Sequence, residues 1–243
     1  MIELTPLAWA LLGVAALVAG LGKTAIPGSA TVSVVLFAAV LPARTSTAAM
    51  LLLFIVGDVF ALIAYRRHAH WPTLLRLAPA VVAGLVLGFL FLAYGDDRIV
   101  RRAIGVILLL MIAVTLWRRR QAAKAVGGPM LGITYGTMAG FTTMVANAGG
   151  PVMSMYFLAT RTPVQVFLGT SAWFFAIVNL VKVPFLAGIG LFTPQVLLMD
   201  VLLTPLVVIG ALVGLKLAKR MPQQLFDRLV IILTIVGAVY LLI

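Results

Sequence analysis

The residues of this chain best placed to do chemistry lie in two short runs that interrupt very apolar sequence. "GLGKTAIPGSA" at residues 20–30 holds Lys23, Thr24, Gly28 and Ser29, and "GFTTMVANAGGP" at residues 140–151 holds Thr142, Thr143, Asn147, Gly149 and Gly150. Glycine lets a ligand approach the backbone closely, and hydroxyl and amide side chains add donors. A helix beginning just after each run, near Gly28 and Gly150, would point its free N–H groups back at the run and attract an anion. With the full charge of Lys23, such a cradle suits a small tetrahedral or pyramidal oxyanion. Covalent catalysis is not expected. Ser29 and Ser154 lie near glycines, but a nucleophilic serine needs a base, and the only histidines, His68 and His70, stand in a basic loop. We therefore assign no catalytic residue and expect no enzyme. With no cysteine in the chain, thiolate metal sites and disulfides are excluded, and neither a metal nor a cofactor is expected.

The elements that position these runs belong in a bilayer. Apolar residues make up 63% of the chain and charged residues 10%, with a mean hydropathy of +1.19, outside the range of soluble domains. Runs at residues 46–64, 77–95, 103–117, 165–181 and 229–243 can cross a hydrocarbon core about 30 Å thick as helices. They are continuous rather than alternating, which excludes a β-barrel. The first twenty residues lack the basic n-region of a signal peptide and read as mature protein. A net charge of +12 would suggest nucleic acid in a soluble protein. Here the basic residues flank hydrophobic segments, so they set topology and meet anionic head groups, and no nucleic-acid partner is expected.

The chain reads as a duplication. An offset of 121 residues sets Pro42 on Pro163, Asp58 on Asn179 and Gly28 on Gly149; an offset of 126 sets Pro79, Gly84 and Gly88 on Pro205, Gly210 and Gly214. The first repeat, residues 1–125, carries apolar segments at 7–19, 28–41, 46–65, 74–94 and 99–117; the second, 126–243, carries them at 130–140, 150–160, 165–186, 195–217 and 223–243. Segments of 11 to 14 residues reach only about 16 to 21 Å as helices, short of a span. The expected fold is an all-α polytopic membrane protein of two repeats in one domain, each a re-entrant hairpin of two short helices followed by three spanning helices. The loop at 66–76 carries Arg66, Arg67 and Arg76, whereas its partner at 186–195 carries no charge. By the positive-inside rule the two loops face opposite sides, so the repeats are inverted, both termini lie outside, and the hairpin tips meet near the midplane.

Four further polar residues, Asp58, Asn179, Lys182 and Asp200, fall within spans. Asp58 lies near the bilayer centre, where an unpaired carboxylate is costly. It reads as a coupling or gating group together with its counterpart Asn179, or else as a structural partner of Lys23. Lys182 and Asp200, at matching depths on adjacent spans, are expected to form a structural ion pair. Trp71 and Trp117 read as interfacial anchors, and Trp173 as packing.

The pair "AGLGKTAIPGSATVSVVL" and "AGFTTMVANAGGPVMSMYFLA", with "GTSAWFFAIVNLVK" in the second half, resembles the sulfite exporter TauE/SafE family, also called TSUP. The resemblance covers nearly the whole chain, and the first run departs from a fully Gly-rich pattern with "KTAIPGS". It implies a secondary transporter in the bacterial inner membrane that exports a small sulfur-containing anion such as sulfite, a sulfonate or sulfoacetate. The residues themselves imply an anion without supplying the sulfur. An anion channel, a carrier of carboxylates or halides, and a structural membrane subunit remain alternatives. The expected partners are the anion and lipid, with a second copy of the chain left open.

Overall fold

The computed structural model describes residues 4–25, 30–120 and 129–217. Among these residues the chain is helical without strands. Helices α1 (Pro6–Ala25) and α2 (Thr31–Val40) form a first hairpin, followed by α3 (Ala43–Tyr65), a 3₁₀ turn at Arg66–His68, α4 (Trp71–Tyr94) and α5 (Asp97–Arg120). A second hairpin of α6 (Pro129–Ala146) and α7 (Gly149–Ala159) precedes α8 (Val164–Gly188) and α9 (Pro194–Leu217). The last expected segment, 223–243, lies outside the described residues. Five helices, α1, α3, α4, α8 and α9, are long and apolar enough to cross a membrane.

Each longer helix starts where local chemistry starts it. Pro42 and Pro163, at corresponding positions, cap α3 and α8 with nearly the same backbone, φ −51° and ψ 139° against φ −57° and ψ 143°. Proline fixes φ and disfavours helix for the residue before it, so it ends one connection and begins the next element. Large apolar side chains such as Ile63, Leu75, Leu198 and Val201 are exposed, as suits helices whose outer faces meet lipid rather than water.

One expectation needs correcting. The first limbs of the hairpins are not short: α1 has 20 residues and α6 has 18, about 30 and 27 Å at the helical rise. Only the second limbs, α2 with 10 residues and α7 with 11, fall short of a span. Gly20 and Gly140, the first residues of the two runs that interrupt the apolar sequence, lie inside α1 and α6. A Cβ added at Gly20 would stand 2.0 Å from the carbonyl oxygen of Val207, and one at Gly140 would stand 2.2 Å from that of Val81. These glycines let backbones touch, the ordinary use of small residues between helices in lipid.

The contacts cross between the two halves. Gly13, Gly20 and Thr24 of α1 meet Leu206, Val207 and Gly214 of α9, so the two helices run in the same direction; Gly136, Gly140 and Met144 of α6 meet Ala80, Val81 and Gly88 of α4 in the same way. The glycines that recur at an offset of 126, Gly84 and Gly88 with Gly210 and Gly214, are the residues of α4 and α9 at these two seams. Each half thus clasps the long limb of the other half's hairpin, and the hairpins are held against α3 and α8.

Candidate functional site

Lys23 stands in the last turn of α1 and reaches α3 through a gap left by Gly57, whose added Cβ would lie 2.9 Å from the Lys23 Cγ. Its ammonium forms an ion pair of 2.6 Å with Asp58 Oδ1. The other carboxylate oxygen accepts a bond of 2.6 Å from the Asn179 side-chain amide. Asp58 and Asn179, the pair related by the offset of 121 residues, therefore touch. The rings of Phe54 and Phe175, related by the same offset, lie one helical turn before them, with centroids 4.6 and 5.0 Å from the Lys23 Nζ. One cation thus sits between two i, i+4 pairs, Phe54 with Asp58 on α3 and Phe175 with Asn179 on α8. The aromatic faces add attraction where water is absent.

The second tip is organised by the other lysine. Helix α6 ends at Ala146 and is followed by Asn147, whose φ of 49° is left-handed, a conformation that Asn tolerates better than most residues. Lys182, fully buried on α8, donates to the Thr143 carbonyl at 2.6 Å and to the Asn147 side-chain oxygen at 2.5 Å. The Asn147 amide donates in turn to the Thr47 carbonyl at 2.9 Å, while the Thr47 hydroxyl lies 3.0 Å from the Val145 carbonyl. A cation at a helix C-terminus favours the macrodipole. Here α8 and α3 together close the end of α6, from which α7 departs.

A cavity of about 50 Å³ is lined among others by Lys23, Asp58, Asn147, Gly150, Ser171 and Asn179. By a measure in which one water needs about 10 to 15 Å³, it holds a few waters or one small ion. Ala30, just before α2, and Gly150, in the first turn of α7, both line it, so the starts of both short helices border the cavity. Its wall on the side of α8 is fixed by "GTS". An added Cβ at Gly169 would lie 2.7 Å from backbone atoms of Tyr65 and His68, and Thr170 accepts a bond of 2.9 Å from the His70 N–H. Ser171, 3% exposed, faces the cavity, and among the described residues its hydroxyl has no hydrogen-bond partner. Gly169→Ala is accordingly expected to loosen this end of the cavity, lowering the thermal midpoint more than Gly188→Ala, whose Cβ would meet nothing within 4 Å.

Of the residues singled out in the sequence, the structure brings Lys23, Thr24, Asp58, Thr143, Asn147, Gly150 and Asn179 to the cavity. Thr24 and Asn147 spend their polar groups on the protein: the Thr24 hydroxyl bonds the Ala211 carbonyl at 2.9 Å, tying α1 to α9, and its own carbonyl accepts from the Tyr65 hydroxyl. Thr142 bonds back to Met138 on its own helix, and Gly149 packs on Thr143. Gly28 and Ser29 lie outside the described residues, as does the side chain of Trp117. Trp173 stacks on Trp71 at 5.1 Å and donates to the Arg66 carbonyl.

The expected ion pair between Lys182 and Asp200 is absent. Lys182 turns to the tip of α6, while both Asp200 carboxylate oxygens are buried without a hydrogen-bond partner among the described residues. Equal depth on adjacent spans does not give a shared face, and α9 turns its buried face to α1. Nor is Lys23 the lone cation near the tips, since Lys182 stands at the second. Sequence reasoning missed Ser171, Phe54, Phe175 and the part played by Lys182. The signals that could have found them were "GTS" and the aromatic residues four positions before Asp58 and Asn179.

Among the described residues, five helices of spanning length define a polytopic α-helical membrane protein. A family model described as sulfite exporter TauE/SafE matches residues 12–241, and the chain belongs to that family. The family is one of membrane transporters and not of enzymes. Among curated proteins and among solved structures, nothing matches the chain.

Proposed function

We propose that the chain is a secondary transporter that carries a small sulfur-containing oxyanion, such as sulfite, a sulfonate or sulfoacetate, outward across the bacterial inner membrane. The observation that carries this reading is the cavity where Lys23, the free Ser171 hydroxyl and the starts of α2 and α7 converge, with Lys182 behind its wall. Lys23 and Lys182 supply positive charge, Gly150 admits the ligand to backbone N–H groups, and Ser171 donates to an oxygen. Asp58 and Asn179 act as a gate, because an arriving anion competes with Asp58 for Lys23. An interior-negative potential drives an anion outward by about 2.3 kcal/mol per charge per 100 mV.

In this reading residues 1–125 and 126–243 are two repeats inserted in opposite senses, and the cavity lies where their hairpin tips approach. The turn at Arg66–His68 packs on the start of α8 near Gly169. Gly188, about 28 Å farther along that helix, lies at the opposite end. Single cysteines placed at His68 and Gly188 are expected to react with an impermeant reagent from opposite faces of the membrane, His68 from inside. Labelling of both from one side contradicts this topology.

The ligand test is a thermal-shift panel of sulfite, sulfate, thiosulfate, short sulfonates and carboxylates on the purified protein. A bound anion raises stability by mass action, about 2.7 kcal/mol at a hundredfold excess over Kd. A shift with sulfur oxyanions that is lost in Lys23→Ala supports the reading. A shift confined to carboxylates removes the sulfur, and no shift at all removes the anion.

A further inference from the structure

We propose that Thr47, Asn147 and Lys182 form a latch that closes the cavity toward the outside, and that its release opens the site to that face. The inference rests on the inverted-repeat reading above and names the parts that move. Asp58 touches its own counterpart Asn179, and the counterparts Phe54 and Phe175 flank one ammonium group, so the centre of the repeat relation lies here. From this level the cavity lining runs along α3 through Ala61 to Tyr65, and along α8 through Ala172 to Leu168. That is about 16 Å of each helix. It ends beside the turn at Arg66–His68, the inner side in this reading. The offset of 121 residues carries Ala61 and Tyr65 onto Lys182 and Leu186, and it carries Leu168, Ser171 and Ala172 back onto Thr47, Met50 and Leu51. These five counterparts are packed, at 0 to 2% exposure, whereas Tyr65 and Leu168 are only half-buried.

Polar groups hold the packed side together. The Lys182 Nζ donates to the Asn147 side-chain oxygen at 2.5 Å, and the Asn147 amide donates to the Thr47 carbonyl at 2.9 Å. One side chain thus ties α8 to α3 across the end of α6. The counterparts of these three residues in the other half, Ala61, Ile26 and Leu168, are all apolar. The difference matters for a side that opens to water. Buried hydrogen bonds part at a modest net cost when water enters, because each is exchanged for a bond to water. An apolar seam gains nothing in exchange when it is wetted. A polar latch therefore suits the face that must open and reseal in each cycle. Asn147 also lines the cavity, so the latch ends at the site itself and a bound solute can bias it by preferring one of the two states.

The chain has no cysteine, so single reporters can follow both sides of the cavity. Leu168→Cys marks the lined side and Met50→Cys the packed one. Each is treated with an impermeant methanethiosulfonate, from outside on intact cells and from inside on inverted vesicles. With the latch intact, Leu168→Cys is expected to react from inside about tenfold or more faster than Met50→Cys reacts from outside. Asn147→Gly then removes the latch. Glycine adopts the left-handed backbone at 147 freely, and Lys182 keeps its bond to the Thr143 carbonyl, so the tip of α6 retains its shape. In this background Met50→Cys is expected to react from outside about tenfold or more faster than before, and Leu168→Cys to react more slowly from inside. Asn147→Asp keeps an acceptor for Lys182 and loses the donor to Thr47; it is expected to move both rates in the same directions. Thermal melts verify that every variant is folded. Equal rates at the two reporters with the latch intact, an unchanged Met50→Cys rate in both Asn147 variants, or a rise at Met50→Cys with no fall at Leu168→Cys overturns the latch. The last result is local loosening and not an exchange of faces. These results leave the anion reading standing, since that reading is judged by the thermal-shift panel. Labelling of Leu168→Cys from outside alone overturns the inverted topology and the latch together.

Discussion

Lys182→Met is expected to cut anion affinity by about a hundredfold and to lower the thermal midpoint. Methionine has nearly the same length and fills the same channel on α8, so the change isolates the ammonium group. Its loss strands the Asn147 side-chain oxygen and leaves the Thr143 carbonyl with only the Asn147 backbone N–H, at 3.1 Å. A buried acceptor without a donor costs about 1 to 3 kcal/mol. Asn147 holds its left-handed backbone with that help, so the departure of α7, and with it Gly150 at the cavity wall, shifts as well. The donor that holds Asn147 at the cavity wall disappears at the same time. Calorimetry with a sulfonate and a thermal melt of the same preparation separate the two effects. Lys182→Arg is expected to recover part of the melt and little of the affinity, because a guanidinium cannot repeat the paired geometry in the space of an ammonium. An unchanged affinity in Lys182→Met would remove this lysine from the site.

The second large effect is expected at the crossed helix seams. Gly20→Val and Gly140→Val each place a Cβ about 2 Å from a carbonyl oxygen on the facing helix, a separation that no side chain occupies. The helices must move apart by more than an ångström or one must shift along the other, and either change opens the bundle around the hairpin. Overpacking of this kind costs about 1 to 3 kcal/mol or more in cores that can partly relax, and contacts between backbones relax least. Both variants are expected to be recovered in poor yield with midpoints well below the parent, and Gly210→Ala and Gly84→Ala to follow them, with added Cβ atoms 2.0 and 2.1 Å from backbone oxygens. Gly188→Ala, with open space around it, should melt as the parent does. If the seam variants melt like Gly188→Ala, these helices do not pack as described.

The same glycines show where reading the sequence stops. Apolar runs and prolines marked α3, α4, α5, α8 and α9 to within a few residues, because hydrophobicity and backbone restriction are local properties. The offset of 121 residues drew attention to Asp58 and Asn179, and the structure has them touching. A glycine, however, looks alike whether it breaks a helix or admits a neighbour. Gly20 and Gly140 do the second, and only the partner helix, far away in the chain, distinguishes the two. Lys182 was misread for a related reason. Its distance from the end of the segment gave a depth, but not the face of α8 it occupies or the reach of its four-carbon stem to α6. Thr24 and Asn147 line the cavity, yet their polar groups are taken by carbonyls on α9 and α3, bonds between residues about 100 or more positions apart. Residue type announces a donor; packing decides who receives it.

The most direct test of the account is counterflow in proteoliposomes that contain the purified protein. With unlabelled methanesulfonate or sulfite loaded inside, labelled anion of the same kind outside is expected to enter by a saturable route, to be accelerated by the internal anion, and to lose both properties in Lys23→Ala and Lys182→Met, with correctly inserted protein verified in each case. Flux that never saturates, that ignores the internal anion, or that is equal in the parent and both lysine variants would contradict an anion carrier whose site lies between α1, α3, α7 and α8.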